Sequence, residues 1–144
     1  MKNINTKKLD NKNINIVKMD KLMLCEVSQI ASKTLGSSFV NEDILDNDIN
    51  LCAKIYEEIV AYATTKFIDL DYLKKIIRDK KLRLDEEFLK IGYIDSIAVD
   101  ENYSGYGIGT LLLKDTISKL RENQIGFAIL LDFYLDFLHQ LFFF

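Results

Sequence analysis

At 144 residues, 49% apolar and 28% charged, the chain has the size and balance of one folded domain, and not of a disordered or membrane-embedded segment. A formal net charge of −3 gives no global attraction to nucleic acid or to an anionic membrane surface, and neither is expected as a partner. Cys25 and Cys52 are the only two cysteines, too few for a disulfide framework or a zinc site, which points to a reducing, cytoplasmic setting and to no metal.

Residues 1–13 are polar and read as a frayed start, with no apolar run of the kind a signal peptide carries. Ile14 to Val17 suits a short strand. Asp20 is placed to cap a helix from Lys21 to Leu35 that Gly36 ends, with Met23, Val27, Ile30, Ala31 and Leu35 at helical spacing. Ser37 to Asn50 is rich in Asp, Asn and Ser, with room for a short second helix. From Leu51 the period changes: Leu51–Ile55 and Ile59–Phe67 read as two strands joined at Tyr56-Glu57-Glu58. Asp69 or Asp71 caps a short helix containing Leu70, Leu73, Ile76 and Ile77. The basic cluster beside it (Lys74, Lys75, Arg78, Lys80, Lys81) reads as solvated surface, with an acidic ligand as the lesser alternative. Tyr93–Val99 reads as a strand, Ile108–Asn123 as a helix with Leu113, Ile117 and Leu120 on one side, and Phe127–Phe133 as a further strand. The tail from Tyr134 to Phe144 reads as an apolar helix. Asp132, Asp136, His139 and Gln140 interrupt the apolar run from Phe127 to Phe144, so it is expected to be core and not a membrane span. No linker or repeat divides residues 1–144, and one domain is expected.

The informative unit is a strand, a glycine loop and a helix: IDSIAVDENYSGYGIGTLLL, from Ile94 to Leu113. Three of the six glycines in the chain, Gly105, Gly107 and Gly109, take alternate positions here. Glycine lets successive N–H groups turn to one concave side and leaves no side chain in a ligand's way. The helix that starts here adds unpaired donors and the positive end of its dipole, a combination suited to phosphate or pyrophosphate. A bare strand-to-helix turn is the plainer alternative, but it rarely needs three glycines. The dinucleotide pattern lacks its third glycine, since Leu112 stands at that position, and the P-loop pattern lacks its lysine, since Thr110 follows Gly109 directly.

This stretch resembles the acetyl-coenzyme A binding motif of the GCN5-related N-acetyltransferases (GNAT): an apolar strand, a short loop, Arg or Gln, two residues, Gly, one residue, Gly or Ala, then an apolar helix. Gly107 and Gly109 match the glycines, and Ile97/Val99 and Leu111/Leu112 match the flanks. The resemblance is close over about 30 residues and looser back to Ile14. It implies an α+β fold with a mixed, mostly antiparallel central sheet flanked by helices. It implies acetyl-CoA as cosubstrate, no metal, and direct acetyl transfer to a primary amine of a small molecule, peptide or protein. The cofactor would lie against Ile97, Ala98 and Val99 of the strand and Ser104, Gly105, Tyr106, Gly107, Ile108, Gly109 and Thr110 of the loop. Asp95 is the expected base and Tyr134 the expected acid.

Two departures from the family pattern stand out. Ser104 replaces the usual Arg or Gln, and the carboxyl end is shorter than the helix and two strands that usually follow, so the sheet is expected without its usual carboxyl-terminal strands. A catalytically silent acyl-CoA-binding or oligomeric interaction domain is therefore the alternative reading, with a homodimer that completes its sheet from a second chain as one form of it.

Overall fold

The computed structural model describes residues 13–36, 42–76, 90–132 and 137–143. A six-stranded sheet runs through them in sequence order: β1 (Ile14–Lys18), β2 (Ile49–Ile55), β3 (Glu58–Ile68), β4 (Ile91–Val99), β5 (Phe127–Asp132) and β6 (Phe137–Phe143). The first four strands pair antiparallel, β4 and β5 pair parallel, and β5 and β6 return to antiparallel. Three helices accompany the sheet: α1 (Leu24–Ala31), α2 (Leu70–Ile76) and α3 (Ile108–Glu122).

Local sequence accounts for most of these limits. The Asp20 carboxylate accepts the Leu22 N–H at 2.9 Å and opens a single tight turn, Lys21–Met23, ahead of α1. A wider turn, Ser32–Gly36, closes that helix. Asp69 caps α2 through the Tyr72 N–H at 2.7 Å. Tyr56, with φ of +54°, turns the hairpin between β2 and β3. Strand β4 begins at Ile91, two residues before the expected Tyr93, and the short helix expected within 37–50 is a tight turn, Glu42–Asp46.

The sheet is buried on both faces because neighbouring residues on each central strand point opposite ways. On one face α3 packs Ile108, Leu112 and Leu120 onto Leu51, Ala53, Ala61, Ala63 and Ile94. On the other, α1 packs Val27, Ile30 and Ala31 onto Cys52, Tyr62 and Ala98. Each fully buried Leu of α3 contributes about 1.5–3 kcal/mol. The buried line of α3 is Ile108, Leu112, Thr116 and Leu120, so Leu113 and Ile117 flank the stripe and do not centre it. Helix α3 lies close to the sheet where β4 has no side chain. A Cβ on Gly92 would stand 2.7 and 2.8 Å from the two δ-methyls of Leu120.

One expected element differs in kind. The apolar tail forms a strand and not a helix: β6 pairs with β5 from Phe127↔Phe143 to Asp132↔Phe137. An apolar run without regularly spaced polar residues carries no period that separates strand from helix, and the three phenylalanines of 137–143 favour the extended form. His139 therefore belongs to a strand. Of the basic cluster, Lys74 and Lys75 are exposed on α2, while Arg78, Lys80 and Lys81 lie outside the described residues. Among the described residues no helix is long and apolar enough to cross a membrane.

Candidate functional site

Among the described residues, strand β4 is paired with β5 for only three residues, Gly92–Ile94 against Ala128–Leu130, and from there to Val99 no strand pairs with its β5-side edge. The open stretch has a defined polarity. The Asp100 N–H donates to the Val60 carbonyl at 2.8 Å, in register with the pairs Ala61↔Val99 and Tyr62↔Ala98. Antiparallel pairs alternate between residues that bond across the ladder and residues whose N–H and C=O point the other way. Ala98 and Ser96 thus bond toward β3, while Ile97 and Val99 present their backbone groups to the side β5 has left. That edge can accept one more extended chain or an amide-bearing ligand arm.

The same strand carries a bulge. Thr64 pairs with Ser96 but Thr65 pairs with Ile94, so Asp95 is an extra residue on β4. The bulge resets the alternation: Ile94 and Ile97, three apart, both pack on the α3 side. Strict alternation would put Asp95, two residues before Ile97, on the same face as Ile97, and the bulge puts it on the opposite one. There it stands 3.9 Å from Lys66 Nζ, beside Tyr62 and Tyr93. The Tyr62 hydroxyl is hydrogen-bonded to Ser96 Oγ at 2.5 Å. Burial, with the Asp95 carboxylate adding to it, pushes the Tyr62 hydroxyl above its ordinary value, while the Ser96 bond acts the other way. Burial likewise pushes Tyr93 up, with Asp95 and then Tyr72 as lesser causes.

After β4, Asp100 caps a tight turn, Glu101–Tyr103, by accepting the Asn102 N–H at 3.0 Å. The glycine loop follows. Gly105 and Gly107 hold φ of +83° and +78°, the left-handed region that glycine enters without strain, and nothing lies within 4 Å of a Cβ placed on either. Tyr106 between them packs against the α3-side core. Gly107 is the N-cap of α3 and has no side chain to cap it. The first helical bond runs from the Leu111 N–H to the Gly107 carbonyl at 3.1 Å, so the amides of Ile108, Gly109 and Thr110 have no helical acceptor. Ile108 is buried and fixes this turn to the core, and Thr110 is exposed. Gly109 brings the turn against the sheet, where its Cβ would lie 3.6 Å from Val99 Cγ2. The open edge of β4 and the free amides of α3 are therefore neighbours.

The chain from Ile91 to Leu113 contains no lysine or arginine, so an anion held here would be held by backbone. Ser104 is exposed and its hydroxyl donates to the Glu101 carbonyl at 3.0 Å, within its own turn. The donor set and the empty space at both left-handed glycines fit a pyrophosphate, and the unpaired β4 edge fits an amide-containing arm. Tyr134 lies outside the described residues. Among the described residues no group of His, Cys, Asp and Glu is arranged to hold a metal. The β4 bulge, which decides where Asp95 points, left no trace in the sequence: one inserted residue in an apolar strand keeps the same composition.

The profile described as "Acetyltransferase (GNAT) family" matches residues 19–139. Among solved structures, the chain is similar to the ribosomal-protein-S18-alanine N-acetyltransferase from Escherichia coli, with TM-score 0.59 and 18% identity over 81% of this chain and 65% of that one. It is similar to NAA60 from Arabidopsis thaliana in complex with acetyl-CoA, with TM-score 0.61 and 15% identity over 81% of this chain and 75% of that one. It is also similar to a GNAT family acetyltransferase from Brucella melitensis in complex with acetyl-CoA, with TM-score 0.56 and 14% identity over 85% of this chain and 79% of that one. The chain spans less than two thirds of the length of the Escherichia coli enzyme. No curated protein sequence matches it significantly.

Proposed function

The chain belongs to the acetyltransferase (GNAT) family, and from that premise we propose that it transfers acetyl directly from acetyl-CoA to a primary amine. We take residues 1–144 as one such domain working in the cytoplasm. What supports the reading is the juxtaposition of an unpaired β4 edge with a glycine loop whose amides are free and whose cradle is open.

Acetyl-CoA supplies the acetyl group as an activated thioester. The chain's own part is to bind and orient. The amides from Gly105 through Thr110 would hold the pyrophosphate, and the outward N–H and C=O groups of Ile97 and Val99 would align the pantetheine arm along β4. A β4 backbone amide that reached the thioester carbonyl would stabilise the charge that develops on its oxygen. Asp95, a carboxylate on that strand, would take a proton from the acceptor ammonium, and with Asp95 in that role the acceptor would approach from the α1 side of the sheet. Tyr134 would return a proton to the leaving thiolate.

Direct transfer, with no acyl group parked on the protein, agrees with the cysteines. Cys52 is fully buried and its thiol is pushed up to about 12, by burial first and by the Asp20 carboxylate second, so it is not a nucleophile at neutral pH. Cys25 is on α1, on the other side of the sheet from the glycine loop.

The acceptor is an amine of a peptide, a protein or a small molecule. The Escherichia coli neighbour acts on a ribosomal-protein alanine, which makes a peptide amino terminus the first acceptor to try. The test is acetyl-CoA-dependent release of free thiol across a panel of peptide amino termini, polyamines and amino sugars. Release with at least one class is expected. Tight coenzyme A binding with no release from any class would instead assign the chain as a silent acyl-CoA-binding domain.

A further inference from the structure

The tip of the β2–β3 hairpin reaches the turn that launches the glycine loop. Tyr103 is the last residue of that turn, one residue before Ser104, and its phenol donates to Glu58 Oε2 at 2.9 Å across 45 residues of chain. Hydrogen bonds within the turn tie it to Tyr103. The Tyr103 N–H donates to the Asp100 carbonyl at 2.8 Å, and both the N–H and the hydroxyl of Ser104 donate to the Glu101 carbonyl, at 3.3 and 3.0 Å. The Tyr103 ring itself packs against the α3-side core. Beyond Ser104 the chain passes through two left-handed glycines with nothing within 4 Å of a Cβ placed on either, and between them Tyr106 packs against the core.

We propose that the Tyr103–Glu58 hydrogen bond is the positioning contact that presets the glycine loop for the pyrophosphate, a role that rests on the loop's assignment above as the cofactor site. Left-handed glycines are the most freely moving points of a backbone, and ordering them on binding opposes affinity. A fixed entry point upstream removes part of that cost before the ligand arrives. Glu58 begins β3, the strand that β4 pairs with, so the contact ties the loop to the same sheet that presents the Ile97 and Val99 backbone. The hydrogen bond to Glu58, and partial burial after it, push the Tyr103 hydroxyl above its ordinary value. Tyr103 touches neither the expected pyrophosphate nor the reacting atoms and acts only through the loop.

The experiment compares the full chain with Tyr103→Phe, Glu58→Ala, Glu58→Gln and the double variant Tyr103→Phe/Glu58→Ala. Coenzyme A binding is followed by calorimetry and amide hydrogen exchange is followed at Gly105–Thr110. Removing one surface hydrogen bond is expected to weaken coenzyme A binding about three- to tenfold and to speed exchange in the loop, with the unfolding midpoint unchanged. The double variant is expected to be no worse than either single, and Glu58→Gln, which keeps an acceptor, to stay near wild type. Unchanged affinity and exchange in Tyr103→Phe would overturn the proposal while leaving the cofactor site standing. So would losses that multiply in the double variant, or a midpoint that falls in step with affinity. A wild-type chain that binds no coenzyme A would remove the cofactor reading and this one together.

Discussion

Cys52 is fully enclosed between β1, β3 and α1, and its thiol is pushed up to about 12. In the unfolded chain the thiol titrates near 9.0. A group that holds its proton more tightly when folded stabilises the fold below its unfolded value, and that contribution is lost as pH climbs toward the folded one. The unfolding midpoint is therefore expected to be flat with respect to this group up to pH about 9 and to fall between about 9 and 12, by at most about 4 kcal/mol of stability. Cys52→Ala should start less stable because of the space it leaves, and should lose less between pH 9 and 10, below the range where Tyr62 and Tyr93 add their own alkaline loss. Parallel pH curves for the two proteins would contradict this account of the thiol. Asp95 teaches the limit of reasoning at this scale. Strict alternation assigns it to the face of Ile97, and only the pairing of Thr64 with Ser96 and of Thr65 with Ile94 reveals the bulge that turns it over.

Among the elements, α3 is the one that both closes the core and opens the site. Its seat on the sheet depends on Gly92, where an added methyl would press on the Leu120 δ-carbons at 2.7–2.8 Å. Gly92→Ala is expected to lower stability by about 1–3 kcal/mol, read by denaturant unfolding, because Leu120 is fully buried and has little space to yield. A neutral result would mean that α3 rides more loosely on β4 than the close approach implies. Strands β1 to β5 and all three helices were legible in the sequence, through period, capping aspartates and turn residues. The last apolar run was not, since without polar residues at regular intervals neither period can be read, and strand β6 emerges only from its pairing with β5. The glycine loop was legible to the residue because glycine spacing is a direct record of backbone need, here the positive φ of Gly105 and Gly107. The contact between Tyr103 and Glu58 was not, because a bond across 45 residues exists only once the hairpin has folded.

For the molecule as a whole, the net charge of −3 gives an anionic cofactor no long-range attraction. Affinity then has to come from local donors and from strand-like pairing. The proposed site has both at one place, where parallel pairing of β4 with β5 stops after Ile94 and the first turn of α3 comes against Val99. An identity of 14–18% to the solved neighbours establishes the common architecture, and the chemistry has to be tested on this chain. Calorimetric titration of acetyl-CoA into the wild-type chain and into Gly107→Val tests the claim most directly. The variant places a β-branched side chain at φ +78°, where nothing lies within 4 Å of its Cβ, at a cost of about 1–3 kcal/mol in stability. Micromolar binding by the wild type and none by a still folded Gly107→Val is the predicted result; no binding by the wild type, or equal binding by both, would contradict it.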